Sequence, residues 1–186
     1  MKSYFLKPVI CVALLAAGVA HAQSTNTGKV YMKGKIIAST CEVLVNGQPG
    51  TKDATVSMGT YGVADFTKTG DLVGGAGMDG QVKFELSNCP EGKSQAKMRI
   101  QATTVSGSSN TIQLDSGSNT AGNVGIQLFR KTDMSKPVNF ELVQNYPIDT
   151  STNKATIELV GKYVSLADTV TPGDANGNFN YTISYN

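Results

Sequence analysis

Cysteine is the residue type whose number and placement point most directly to a reaction in this chain. There are three, at positions 11, 41 and 89. Cys11 lies in an apolar run from Val9 to Ala20 that follows Lys2 and Lys7 and ends in Ala20-His21-Ala22. A basic start, an apolar stretch of about a dozen residues and a small-x-small site mark a secretory signal peptide, too short for a stable membrane helix. Cleavage after Ala22 removes residues 1–22 and leaves Cys41 and Cys89 as the only thiols in an exported chain. In an oxidising compartment two thiols have a single connectivity, and a disulfide is expected. An uncleaved anchor and two free buried thiols are the alternatives.

Other chemistry is poorly supplied. His21 is the only histidine and leaves with the signal peptide, taking away the commonest general base and the commonest zinc ligand. One cysteine pair is not a metal site, and no Gly-x-Ser-x-Gly, Ser-x-x-Lys or paired-carboxylate motif stands out. No catalytic residue, metal ligand or cofactor is therefore assigned, and the chain does not read as an enzyme with a small-molecule substrate. Gly74-Gly75-Ala76-Gly77 lacks the strand-to-helix setting and the Lys-Ser/Thr ending of a phosphate loop. The full chain has 16 Lys plus Arg and 14 Asp plus Glu; loss of Lys2 and Lys7 brings the two into balance. No electrostatic case remains for nucleic acid or an anionic membrane as partner. Zero net charge also does little to oppose self-association.

The elements around the cysteines read as strands. Short alternating or apolar runs recur between turn-rich stretches: 54–58, 81–88, 97–102, 111–114, 124–129, 138–143, 155–166 and the final 179–185. Gly, Asn, Ser and Asp separate them, no window holds a helical period, and the pattern is all-β, fitting a β-sandwich. Residues 103–123 and 71–80 read as loops around Ile112 and Leu114 in the former and the glycine run in the latter.

Two of the runs, at opposite ends of the chain, are informative together. In the last, Phe179, Tyr181, Ile183 and Tyr185 alternate with Asn180, Thr182, Ser184 and Asn186, placing four apolar side chains on one face of a strand that needs a cover. Near the start, Val30, Met32, Gly34 and Ile36 alternate with Tyr31, Lys33, Lys35 and Ile37, behind a polar lead from Gln23 to Thr27. From periodicity alone, 28–37 is better read as the first strand of its own domain, paired in cis.

The chain resembles the subunits of chaperone–usher fimbriae (pili), most of all the type 1 fimbrial major subunit. The resemblance rests on Gly28–Ile37 leading to Cys41, on Val82–Asn88 ending in Cys89, on Gly125-Ile126-Gln127-Leu128, and on Thr171–Asn176 followed by the alternating strand. Gly173 stands fourteenth from the end and Tyr185 second from the end, as the family's motif requires.

The resemblance implies an immunoglobulin-like sandwich lacking its last strand, completed by a donor strand from another subunit. It divides the chain into a signal peptide (1–22), a donor-strand extension (23–37) and a pilin domain (38–186). Val30, Met32 and Ile36 would be the donor's apolar anchors, with Gly34 at a point of close backbone approach. Gly173, Phe179, Tyr181, Ile183 and Tyr185 would form the acceptor groove and chaperone-binding strand. The implied partners are other copies and related subunits, a periplasmic chaperone and an outer-membrane usher. The implied course is export through the periplasm to a surface fimbrium that supports adhesion. A minor tip or adaptor subunit would share these motifs. A carbohydrate-binding adhesin would carry an additional lectin domain and no donor extension, and the chain has no Trp for stacking on sugars.

Overall fold

The computed structural model describes residues 29–34, 40–48 and 53–186. The expected signal peptide, the first part of the expected extension and Ile36 lie outside these. The chain divides into two units, 1–36 and 37–186. In the first, Lys29 to Gly34 carry no regular secondary structure, and Val30, Tyr31 and Met32 are exposed. The strand expected over 28–37 is thus absent from its described part.

The described residues of the second unit form ten strands and one short 3-10 turn, Val63–Asp65. The larger sheet contains β1 (Glu42–Val45), β2 (Leu72–Val73), β3 (Gln81–Ser87), β5 (Thr111–Gln113), β6 (Val124–Arg130), β7 (Asp133–Pro137) and β9 (Ala155–Ser165). Its order is β1-β3-β9-β6-β5, with β2 also on β9 and β7 also on β6. The smaller sheet is β10-β4-β8, made of β10 (Asn180–Tyr185), β4 (Gln95–Gln101) and β8 (Gln144–Pro147). Every strand pairing is antiparallel.

Alternation decides which side of each strand goes inward. In β3, Val82, Phe84 and Leu86 are buried while Lys83 and Glu85 stay at the surface and pair with each other at 2.7 Å. In β4, Ala96, Met98 and Ile100 are buried. These faces meet in one hydrophobic cluster with Ile126, Leu128, Ile157 and Leu159, so the two sheets are the layers of a sandwich around a common core.

Cys41 and Cys89 are bonded, both buried, at the root of β1 and just past the end of β3. The ladder starts beside them, with Glu42 opposite Ser87.

Three expectations fail, the first two because side-chain alternation does not report where backbone hydrogen bonds go. Residues 138–143 are a crossover between the sheets, not a strand: Val138 N–H donates to Leu128 O (2.7 Å), Phe140 N–H to Ser109 O (2.8 Å) and Leu142 N–H to Asn139 O (3.3 Å). The strands flank it, as β7 and β8. Residues 54–58 form no ladder either, although Val56 and Met58 pack on the core. The expected loop 71–80 contains β2, which adds to β9 through Leu72 opposite Val164.

Candidate functional site

β10 is the terminal strand of its sheet. Its six residues ladder with β4 from Asn180 opposite Gln101 to Tyr185 opposite Ala96, and among the described residues its other edge carries no strand. Across a gap from that edge runs the segment 53–60, which has the side-chain alternation of a strand and almost none of its hydrogen bonds. The Gly80 N–H donates to Ser57 O at 2.7 Å.

Between these walls lies a groove of about 800 Å³. One wall is 53–60 and the other is 175–181. The floor is Val82, Phe84, Ile112, Ile126, Leu128 and Tyr163. Every floor residue belongs to the buried core, Phe84 being only 1% exposed and Leu128 2%. Here the core itself forms the bottom of an open channel. The glycine pair Gly80 and Gly161 lets the floor strands approach: a Cβ on Gly80 would collide with the Gly161 carbonyl.

Tyr181 stands between wall and floor, with its ring edge-on to Phe84 at 4.7 Å. Burial raises its phenol above the ordinary value, with Asp53 adding to the effect. Tyr163 is raised likewise by burial and then by Tyr61, and it donates a hydrogen bond to Ala175 O at 3.0 Å. Both stay neutral at physiological pH. Among the described residues Asp53 is the single charged one lining the groove. A channel of apolar floor, neutral phenols and one carboxylate has the chemistry of a site for an apolar peptide strand. Among the described residues no group of three or more potential ligands could hold a metal ion.

The structure distributes the expected site residues unevenly. Phe179 and Tyr181 line the groove. Ile183 and Tyr185 share their face and pack against the core, but neither lines the groove. Burial, then Tyr181, raises the Tyr185 phenol. Gly173 lies outside the groove, in the wall of an adjoining cavity of about 550 Å³ with Tyr61, Phe66 and Val170. Its requirement for glycine is local, because a Cβ would meet the backbone of Asn119, Thr120 and Ala121. The wall 53–60 and most of the floor were not identified from sequence as site residues. Their only signal was the alternation of Val56 with Met58 and of Val82 with Phe84.

Comparison with known proteins decides what kind of molecule carries this groove. The family profile described as Fimbrial protein matches residues 30–186. The chain belongs to the fimbrial protein family. It is 26% identical over 196 residues to the type-1 fimbrial protein A chain of Salmonella typhi, and 26% over 193 residues to that of Escherichia coli K12. Each alignment spans 100% of both chains. The crystal structure of the P pilus rod subunit PapA aligns with a TM-score of 0.57 at 15% identity, covering 80% of this chain and 100% of that one. At that identity the likeness shows the fold alone, an immunoglobulin-like sandwich. This fimbrial subunit is therefore a structural protein of surface fimbriae that associates with other subunits, not an enzyme.

Proposed function

We propose that this fimbrial subunit polymerises by donor-strand exchange, its groove receiving residues 23–37 of a neighbouring copy. The observation that carries the reading is the open edge of β10 beside a channel floored by the core. An unpaired strand edge next to apolar surface invites strand addition, in which main-chain hydrogen bonds give affinity and alternate side chains give specificity. A strand running the length of 53–60 covers about 26 Å at about 3.3 Å per residue, long enough for Val30, Met32, Gly34 and Ile36 in alternate positions. Val30, Met32 and Ile36 turn toward the floor, and Gly34 sits where backbones approach closely. Each apolar anchor contributes about 1.5 to 3 kcal/mol on full burial, and each ladder bond about 0.5 to 1.5 kcal/mol. Together they make a non-covalent joint that dissociates slowly.

The same channel is exposed before assembly and needs a temporary occupant. We assign that role to a strand of a periplasmic chaperone, with Ile183 and Tyr185 at its docking end and an outer-membrane usher receiving the complex. In this scheme residues 1–22 are removed on export, 23–37 are the donor and 38–186 the acceptor, and the assembled fimbria supports adhesion from the cell surface.

The test is guanidinium unfolding of residues 38–186 with and without a synthetic peptide of residues 23–37, together with assembly of an Ile36→Asp subunit. The peptide is expected to raise the unfolding midpoint with very slow release. Ile36→Asp is expected to bind chaperone yet form no fibre, since its charge would be unpaired in an apolar channel. A domain that ignores the peptide, or Ile36→Asp fibres of normal length, would overturn the assignment.

A further inference from the structure

We infer that Asn176 is a site of spontaneous deamidation, and that its conversion inactivates the groove with age. The sequence has two asparagines followed by glycine, Asn46 and Asn176. Glycine leaves the following backbone nitrogen open to attack on the asparagine side chain, because no Cβ shields it. The two sites differ in how the asparagine is held. Asn46 is tied at both ends of its amide: Oδ1 accepts from Lys83 N–H at 2.7 Å and Nδ2 donates to Gln81 O at 3.4 Å. The Asn176 side chain and the Gly177 N–H have no hydrogen-bond partner among the described residues, and both residues are exposed. Only the Asn176 carbonyl is engaged, accepting from Asp115 N–H at 2.8 Å.

The reaction is self-contained apart from water. The Gly177 nitrogen loses its proton to solvent base and attacks Cγ of Asn176. A C–N bond forms, the side-chain nitrogen leaves as ammonia, and a succinimide ring results. Water opens the ring at one carbonyl or the other, giving aspartate or isoaspartate. One water is consumed and one ammonia released, with no oxidation or reduction.

Position gives the conversion its consequence. Asn176 and Gly177 line the groove, where Asp53 is the one charged residue among those described. Aspartate at 176 adds a second carboxylate to an apolar channel, and isoaspartate adds a backbone carbon to the wall just before Phe179. Either product opposes entry of an apolar strand. This step alone rests on the groove being a docking site.

The test is timed incubation of the mature chain at mildly alkaline pH, with peptide mapping by mass spectrometry for the exchange of NH₂ by OH. Asn176 is expected to convert at least about tenfold faster than Asn46, the equivalent of about 1.4 kcal/mol in barrier, because Asn46 must first release its two hydrogen bonds. In the reduced, denaturant-unfolded chain the two sites are expected to convert at similar rates. Equal rates in the folded protein, or an intact Asn176 while the unfolded chain converts, would overturn the site. Bound peptide 23–37 is expected to slow Asn176 and leave Asn46 unchanged. Aged wild type is expected to lose peptide binding in proportion to the fraction converted at 176, while its unconverted fraction, separated by charge, keeps it. Aged wild type that binds as well as fresh protein would overturn the inactivation and leave the site standing. Fresh protein that never binds the peptide would instead overturn the docking reading.

Discussion

Replacing both half-cystines by alanine tests how much of the domain's stability lies in one covalent link. The bond joins residues 48 apart in sequence, and the chain-entropy relation for a loop of that length gives about 4 kcal/mol at 25 °C through the unfolded state. Alanine is the right substitution because both positions are buried, Cys41 at 6% and Cys89 at 4% exposure, so serine would add an unmet hydroxyl to the loss. For a domain of this size a guanidinium slope of about 4 kcal/mol per molar converts the loss into a midpoint lower by about 1 M. A local effect accompanies the global one. Among the described residues β1 pairs only with β3, and it begins immediately after Cys41, so its amides are expected to exchange faster in the double variant while those of β9 follow the global change. The assay is equilibrium unfolding of wild type and Cys41→Ala/Cys89→Ala without reductant, with hydrogen exchange on both. A midpoint shift below about 0.3 M, which is about 1 kcal/mol on that slope, would refute the reasoning. It would mean that the chain before Cys89 is held by contacts surviving in the unfolded ensemble.

Gly173→Ala is expected to cost about 2 kcal/mol in the same unfolding assay, because a Cβ forces apart the backbones joined by Ala121 N–H to Asp174 O (3.0 Å) and Asp174 N–H to Asn119 O (2.6 Å), each bond worth about 1 kcal/mol. Tyr146→Phe is expected to be neutral or to stabilise by about 1 kcal/mol, since the Tyr146 hydroxyl is buried without a partner among the described residues while Arg130 stacks on the ring at 4.7 Å; a clear loss of stability would show that the hydroxyl is satisfied. Hydrogen bonds from Thr67, Ser135, Ser151 and Thr69 hold the carboxyls of Asp71, Asp133, Asp149 and Asp168 below their ordinary values. Folded values below the unfolded ones mean that the contribution is present above about pH 4 and lost as pH falls through the folded values. With no histidine after His21, the melting temperature of residues 23–186 is expected to be level from about pH 6 to 8 and to fall below about pH 4, and a step near neutrality would contradict it.

The strands legible in sequence are those with one face in the core. β3 alternates buried with half-buried residues and β4 buried with half-buried or exposed ones, and β10 keeps Tyr181, Ile183 and Tyr185 half-buried against exposed Asn180, Thr182 and Ser184. β7 and β8 were illegible because they are short edge elements: β7 exposes Asp133, Met134, Ser135 and Lys136, and nothing periodic marks them. Val138 and Phe140 misled for the opposite reason, both being buried two residues apart while their amides bond to unrelated loops and strands. The groove is a relation between segments distant in sequence. Its terminal-strand wall could be read from Phe179 and Tyr181, whereas the facing wall 53–60 shows its meaning only once β10 is seen to lack a neighbour on that side.

The placement of the disulfide also fixes how the domain answers a pull. Tension arriving along the chain from residues before Cys41 reaches the Cys41–Cys89 bond before it reaches β1. It crosses to Cys89 and continues along the chain toward β4. The intervening stretch, Glu42 to Asn88, which includes β1, β2 and β3, lies off that covalent path. β1 and the wall 53–60 are thereby spared from being drawn out of the sandwich, and the shape of the channel is insulated from forces on the segment that precedes it.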